Sequence, residues 1–446
     1  MGHSANHDGL RKSLVLMVLV GLALRLALIV WLRYYDFTWA EDLTPFGPPH
    51  FHFEFGCETG AIAYSLATGH GFSSPFGGST GPTAWLAPLY PALCALVFKG
   101  FGYFTFASGV VMLAINSVFS ALTCIPICRI GELTVGRKVG YWSGWIWSAG
   151  VLFMRWPTTW VWEMSASALL ISILFLQSLQ LGKQASGKRW AGFGLLWGIA
   201  ALTNPSLLAF LPAAGLYPVV KLWRGHERWF RHAAVSAVVF AVVISPWLIR
   251  NRVTLGTWVF IRDNAPFELS LGNYPGSNGM GWFGKHPSKN RREYVNYKRM
   301  GELPYVASKK QLAIDFVKQY PREFASLCAT RVVAFWRGTA LNYSDTRAEP
   351  WRPWVYWPLS ALMFGGLIVA IAWRVDGGWL YCGLMFLYPI TYYVIFAHPR
   401  YRHAIEPEML LLSTYFVHSA LQELTKRFPV KQRARVELQP ALVAAD

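Results

Sequence analysis

The chain has 446 residues, 54% of them hydrophobic and only 14% charged, with 22 tryptophans and a formal net charge of +18. Nearly uncharged stretches of about 18 residues or more recur along it, which is the length that crosses a bilayer as a helix, so the composition excludes an ordinary soluble globular protein. The basic residues lie scattered between the apolar segments and build no nucleic-acid-binding motif. Positive loops on the cytoplasmic side of a membrane account for them, and no nucleic-acid partner is expected.

In chain order, Arg11-Lys12 precede an apolar run from Ser13 to Trp31. It resembles a signal peptide, but the run is too long, Arg25 interrupts it, and no small-residue cleavage site follows, so it reads as a retained first helix. Arg25 needs a partner or a wet cavity at that depth. Further spans are expected at roughly 107–129, 139–154, 164–181, 190–203, 205–222, 233–250, 353–373, 378–397 and 405–424. No Gly/Ser-rich linker divides the chain, so residues 1–446 read as a single membrane domain, an all-α polytopic bundle of about ten transmembrane helices. The six cysteines show no zinc-type pairing, and Cys124 and Cys128 read as small buried thiols.

The run 84–100 is short, holds Pro88 and Pro91, and ends in Lys99. If it stays outside, the loops Arg129–Lys138, Lys183–Arg189 and Lys221–Arg231, the segment at Arg374, and the basic tail all share the cytoplasmic side. If it crosses, the first three move outside, against the positive-inside preference. It is therefore expected as an interfacial helix, with both termini cytoplasmic and two large outer regions, 34–106 and 251–352. The second is basic between Lys285 and Arg337, which suits either a solvated surface or an anionic lipid or phosphate.

Chemistry is expected in the outer regions, because the spans themselves are almost free of charge. Glu58 sits just ahead of a short helix expected over Ala61–Thr68. A carboxylate there either accepts a proton from an acceptor hydroxyl or holds a divalent cation beside a phosphate; the plainer reading is a charge that satisfies the helix dipole. Glu163 lies in the outer turn between two spans, with Arg155 as a candidate salt-bridge partner. The turn His398-Pro399-Arg400-Tyr401-Arg402-His403 packs enough donors to hold an anion, since guanidinium groups fork onto phosphate oxygens; Arg250 stands at the outer end of its span and joins it as a candidate. In an extended chain His50, His52 and Glu54 point to one side, a weak metal face. Gly77-Gly78-Ser79-Thr80-Gly81 is not a phosphate-binding P-loop, because no Gly-Lys-Ser/Thr follows.

An ordered set of motifs runs through nearly the whole chain: Glu58 with IAYSLATGHGF, GPTAWLAPLYP, Leu202-Thr203-Asn204-Pro205, PWLIRN, Gly272-Asn273, and Arg400-Tyr401-Arg402 with Glu406-Pro407. The set resembles the GT-C glycosyltransferases, in the branch of protein O-mannosyltransferases and lipid A aminoarabinose transferases. The resemblance implies a helical bundle with two large outer loops, a polyprenyl-phosphate sugar donor, inversion at the sugar carbon, and a catalytic acid in the first outer loop with a second in the next. Here those acids are Glu58 or Glu54, and Glu163. Many relatives have Asp at the catalytic position, and some carry a basic residue where Asn204 stands.

The sequence thus reads as an integral membrane glycosyltransferase at the outer face of the cytoplasmic membrane. Glu58 is the expected base, and Arg400, Tyr401, Arg402 and Arg250 the donor-phosphate contacts. The acceptor is a lipid, glycan or protein hydroxyl, and no cofactor is called for except a candidate divalent cation. The rival is a polytopic transporter or lipid flippase, which would place ionisable residues deep within the spans.

Overall fold

In a computed structural model, residues 2–36, 55–183, 186–339 and 350–427 of the chain are described. Almost all of the regular structure is helical; among the described residues the extended pairing is one isolated antiparallel bridge, Ser73 with Pro82. Among the described residues six helices are long and apolar enough to cross a membrane: Lys12–Leu32, Phe106–Leu133, Met164–Leu181, Pro205–Arg224, Trp229–Leu255 and Arg352–Ala372. The chain is an all-α polytopic membrane protein.

The other expected spans are shorter or interrupted, and the sequence shows where. The run 139–154 becomes two helices, Arg137–Ala149 and Val151–Thr159, broken at Gly150. The run 378–397 becomes Gly378–Leu387 and Ile390–Val394, parted at Tyr388-Pro389, where proline withholds a backbone donor. Gly187–Thr203 has 17 residues, and Glu406–Arg427 carries acids in its first turn. In the run 84–100, helix starts only at Leu89 and spans Leu89–Phe101, 13 residues. At 1.5 Å per residue it rises about 20 Å, short of the roughly 30 Å of hydrocarbon.

Arg25 is fully buried, and its partners come from its own helix and two neighbouring stretches. Its guanidinium donates to Ser120 Oγ (3.1 Å), Gly21 O (2.9 Å), Ser148 O (2.8 Å) and Trp147 O (3.0 Å). The charge therefore pins the first helix to its neighbours through carbonyl dipoles rather than through an acid.

Two joints anchor the described part of 251–352, one to the segment Thr83-Ala84 and the other to the backbone at Val394. In one, the buried Glu302 carboxyl accepts from Ala84 N–H (2.6 Å), Tyr297 Oη (2.6 Å) and the Thr83 hydroxyl, while Asp263 lies against it and donates its own N–H to Ala84 O (3.1 Å). Burial first, and then the Glu302 charge, push the Asp263 carboxyl up to about 8; burial raises Glu302 as well. In the other, Arg331 donates to Gly272 O (2.6 Å), Gly279 O (2.9 Å), Val394 O (2.9 Å) and Asn273 Oδ1 (3.1 Å). Gly272 is needed there because a Cβ would stand 2.0 Å from Ile395 O. The Gly272-Asn273 motif is thus a structural joint.

Candidate active site

Glu58 falls in the first turn of a helix, Cys57–Ala67, that begins earlier than the sequence suggested. Gly56 caps it with φ +59°, and a Cβ at Gly56 would stand 2.6 Å from the Trp162 ring, so only glycine lets the chain turn there. The helix N-terminus favours a negative charge at Glu58. The carboxylate is 8% exposed, and its Oε1 lies 3.0 Å from His286 Nε2.

His286 follows the short helical turn Phe283–Lys285 in the second outer region. The N–H of Ser288 donates to His286 Nδ1 (3.2 Å), and Ser288 Oγ lies 2.6 Å from the same nitrogen. A nitrogen that accepts a backbone N–H carries no proton, so in the neutral ring the proton sits on Nε2 and is donated to Glu58. Phe76 and Phe267 meet the imidazole edge-on at 5.3 Å each and fix its plane. Burial acts to raise Glu58, but the hydrogen bond from His286, helped by the backbone and Arg400, outweighs it and holds the carboxyl below its usual range.

The opposing charge comes from the helical turn Pro399–Arg402. The Arg400 guanidinium sits over the Trp162 ring at 4.2 Å and donates Nη2 to Tyr401 Oη (3.1 Å), while its buried Nε meets no acceptor among the described residues. Tyr401 stacks on Tyr392 at 4.2 Å. His398 Nδ1 accepts from Arg400 N–H (3.2 Å) and caps the turn. Burial, then the charges of Arg400, Arg352 and Arg155, hold His398 well below the usual histidine range, so it is neutral.

Glu58, Glu163, Arg400 and Tyr401 all line one cavity of about 400 Å³, with Asn204, Arg262, Asn264, Glu268, His286 and Lys289 also on its wall. Burial raises Glu163, partly offset by its backbone, by Arg262 and by Arg400. The Arg155 guanidinium lies over the rings of Trp156 and Trp351 at 5.2 Å each. Asn204 caps the next turn by accepting from Ser206 N–H (3.1 Å) and donates to Ser167 Oγ (3.2 Å).

Two expected phosphate contacts stand elsewhere. Arg402 is fully buried behind the turn, donating to Trp336 O (3.1 Å), Tyr356 O (3.3 Å) and Ser360 Oγ (3.1 Å), with Glu406 Oε1 at 3.5 Å and the Tyr356 ring at 4.3 Å. Arg250 donates to Thr83 O (2.6 Å), Phe72 O (2.5 Å) and Asn251 Oδ1 (3.0 Å), and stacks on Trp247 at 4.8 Å beside a separate groove. Both guanidiniums tie backbone segments together. Glu54, His50 and His52 lie outside the described residues, so neither the Glu54 reading nor the metal face has a place in this geometry. Among the described residues no group of three or more His, Cys, Asp or Glu side chains is placed to hold a metal; Glu58 and His286 supply two such ligands.

Sequence reasoning passed over His286, Arg262, Asn264, Glu268 and Lys289. All belong to 251–352, where only the basic character stood out. The PWLIRN segment was the nearest signal: Trp247 Nε1 donates to Ile261 O (2.7 Å) and Asn251 Nδ2 to Val259 O (3.2 Å), holding the bend at Ile261, φ +58°, that delivers Arg262 and Asn264 to the wall.

No protein-family model matches the sequence, and a search of curated proteins finds no match. Solved structures do share the fold. The oligosaccharyltransferase AglB from Archaeoglobus fulgidus, in complex with an inhibitory peptide and a dolichol-phosphate, matches with a TM-score of 0.51 at 12% identity over 94% of this chain and 51% of that one. The same enzyme tethered to an acceptor peptide gives 0.52 at 13% identity over 94% and 50%. ArnT from Cupriavidus metallidurans bound to undecaprenyl phosphate gives 0.37 at 13% identity over 82% and 74%. The chain spans about half the length of the archaeal enzyme. Over nearly its whole length, this chain shares the fold of part of the archaeal oligosaccharyltransferase.

Proposed function

We propose that the protein transfers a sugar from a polyprenyl-phosphate donor to an acceptor hydroxyl, with inversion, at the outer face of the cytoplasmic membrane. The observation that carries this reading is that an ionised, oriented carboxylate and a guanidinium with an unused donor share one cavity: Glu58 held by His286 at 3.0 Å, and Arg400 with its free Nε. At about 400 Å³ the cavity lies at the small end of ligand pockets, the scale of one sugar and its phosphate.

The acceptor oxygen attacks the anomeric carbon and gives its proton to Glu58. The bond from that carbon to the phosphate oxygen breaks with its electron pair, and the polyprenyl phosphate leaves against Arg400, whose charge is fixed before the reaction begins. Attack opposite the leaving group inverts the carbon. His286 keeps Glu58 ionised and aimed. The acceptor is a lipid, glycan or protein hydroxyl.

The test incubates purified protein in detergent with a panel of polyprenyl-phosphate sugars and measures release of free polyprenyl phosphate. Release from one or a few sugars supports the reading; release from none, with acceptor extracts present, rejects it. A transporter or flippase would instead move the lipid without cleaving it.

A further inference from the structure

Asn264 caps the helix Ala265–Gly272, and Glu268 stands one turn along it. Asn264 Nδ2 donates to Glu268 Oε1 at 3.2 Å, which fixes the pair side by side. Two acceptors are then left over. Asn264 Oδ1 and Glu268 Oε2 are both buried without a hydrogen-bond partner among the described residues, and both side chains line the cavity. Asn264 is 4% exposed. Buried acceptors are nearly always met by a donor, so this edge of the cavity is built for one that arrives with a ligand.

Its position says which part of the ligand. Glu268 shares the cavity wall with Glu58, His286, Arg262 and Arg400. In the reaction proposed above, the anomeric carbon lies between the oxygen bound at Glu58 and the phosphate at Arg400. The remainder of the sugar ring then falls over the residue within reach of both.

We propose that Asn264 and Glu268 read one edge of the transferred sugar, and that the donor therefore carries two adjacent hydrogen-bond donors there, free hydroxyls or a hydroxyl beside an ammonium. This rests on the glycosyltransfer reading and adds to it a specificity pair in the second outer region. A site built to pair a polar group discriminates strongly against the analogue that lacks it, because the site's own buried atoms are then left unmet.

The experiment uses the full chain carrying Glu58→Gln, so that the donor survives, and compares binding of bare polyprenyl phosphate with that of the polyprenyl-phosphate sugar chosen by the release assay. Asn264→Ala and Glu268→Ala are each expected to weaken the sugar lipid about tenfold and to leave bare polyprenyl phosphate unchanged. A monodeoxy analogue lacking the read hydroxyl should bind the parent protein about tenfold more weakly, yet bind the Ala variants as well as the intact sugar does. Glu268→Gln keeps the acceptor oxygen and shape and so retains a hydroxylated sugar; preferential loss of an amino analogue on that variant identifies the ammonium form. Equal losses on both lipids, or no loss on the sugar lipid, overturn the assignment while leaving the glycosyltransfer reading in place. Release from no sugar in the panel overturns both.

Discussion

Glu58 Oε1 and His286 Nε2 lie 3.0 Å apart, although the first follows the first span and the second follows the helix Trp229–Leu255. The bond runs from imidazole to carboxylate, since Ser288 occupies the other ring nitrogen. It gives the buried acid a donor that opposes the upward push of desolvation.

If Glu58 takes the acceptor's proton, Glu58→Gln keeps its shape and loses its basic oxygen. Turnover should fall on the order of 100-fold or more, with donor affinity and thermal stability largely unchanged. Normal turnover in this variant would remove Glu58 from the chemistry.

Removing His286 should be read out in pH. In the wild type the Glu58 pKa lies below its ordinary value, so the catalytic charge is lost only as pH falls beneath the usual carboxylate range. In His286→Ala the desolvation persists without its main opposing cause, and the pKa rises. The acid limb of the kcat profile should move to higher pH, with activity partly recovered under alkaline conditions. A uniform loss at every pH would assign His286 a purely structural part.

Arg400 and Arg402 should separate into binding and stability. Arg400→Ala is expected to weaken polyprenyl-phosphate binding about tenfold to a hundredfold, with Arg400→Lys only partly restoring it because the planar fork is lost. Arg402→Ala leaves buried carbonyls unmet and Glu406 without its cation, at a cost of about 3–5 kcal/mol in stability. Thermal unfolding and lipid binding measured on both variants decide the matter; a binding defect confined to Arg402 would reverse the roles.

The carboxyl pair at the joint between the outer regions gives stability a pH slope. Asp263 is raised to about 8 in the folded chain from an ordinary value near 4, so the folded state holds a proton that the unfolded state releases. Its contribution is therefore fullest below about pH 4 and is lost as pH rises towards 8. Unfolding midpoints in detergent should fall between pH 5 and 8, and Asp263→Asn, which cannot ionise, should flatten that decline.

Topology is open to direct labelling. Cysteine introduced at Arg299, exposed on the helix Arg291–Met300, should react with a membrane-impermeant maleimide in intact cells. At Gly187, which is exposed with open space around its Cβ position, it should react only after permeabilisation. Labelling of Gly187→Cys in intact cells would invert the arrangement.

The sequence by itself determined the solvent of this protein and the order of its parts. Long uncharged runs such as Met164–Leu181 have no stable place but a bilayer, and Gly150 and Pro389 mark where helices break because their effect on the backbone is local. The ordered motifs pointed to the GT-C fold. What the pattern could not convey is which way a side chain faces once helices pack. Arg400 and Arg402 look equivalent in sequence, but two residues along a helical turn are about 200° apart, so one meets the cavity and the other the helix Arg352–Ala372. Nor did any local signal join Glu58 to His286, or set Asn264 and Glu268 beside them. The Glu58–His286 contact joins segments more than two hundred residues apart in the chain, and Glu302 on Ala84 ties the same two segments together beside it.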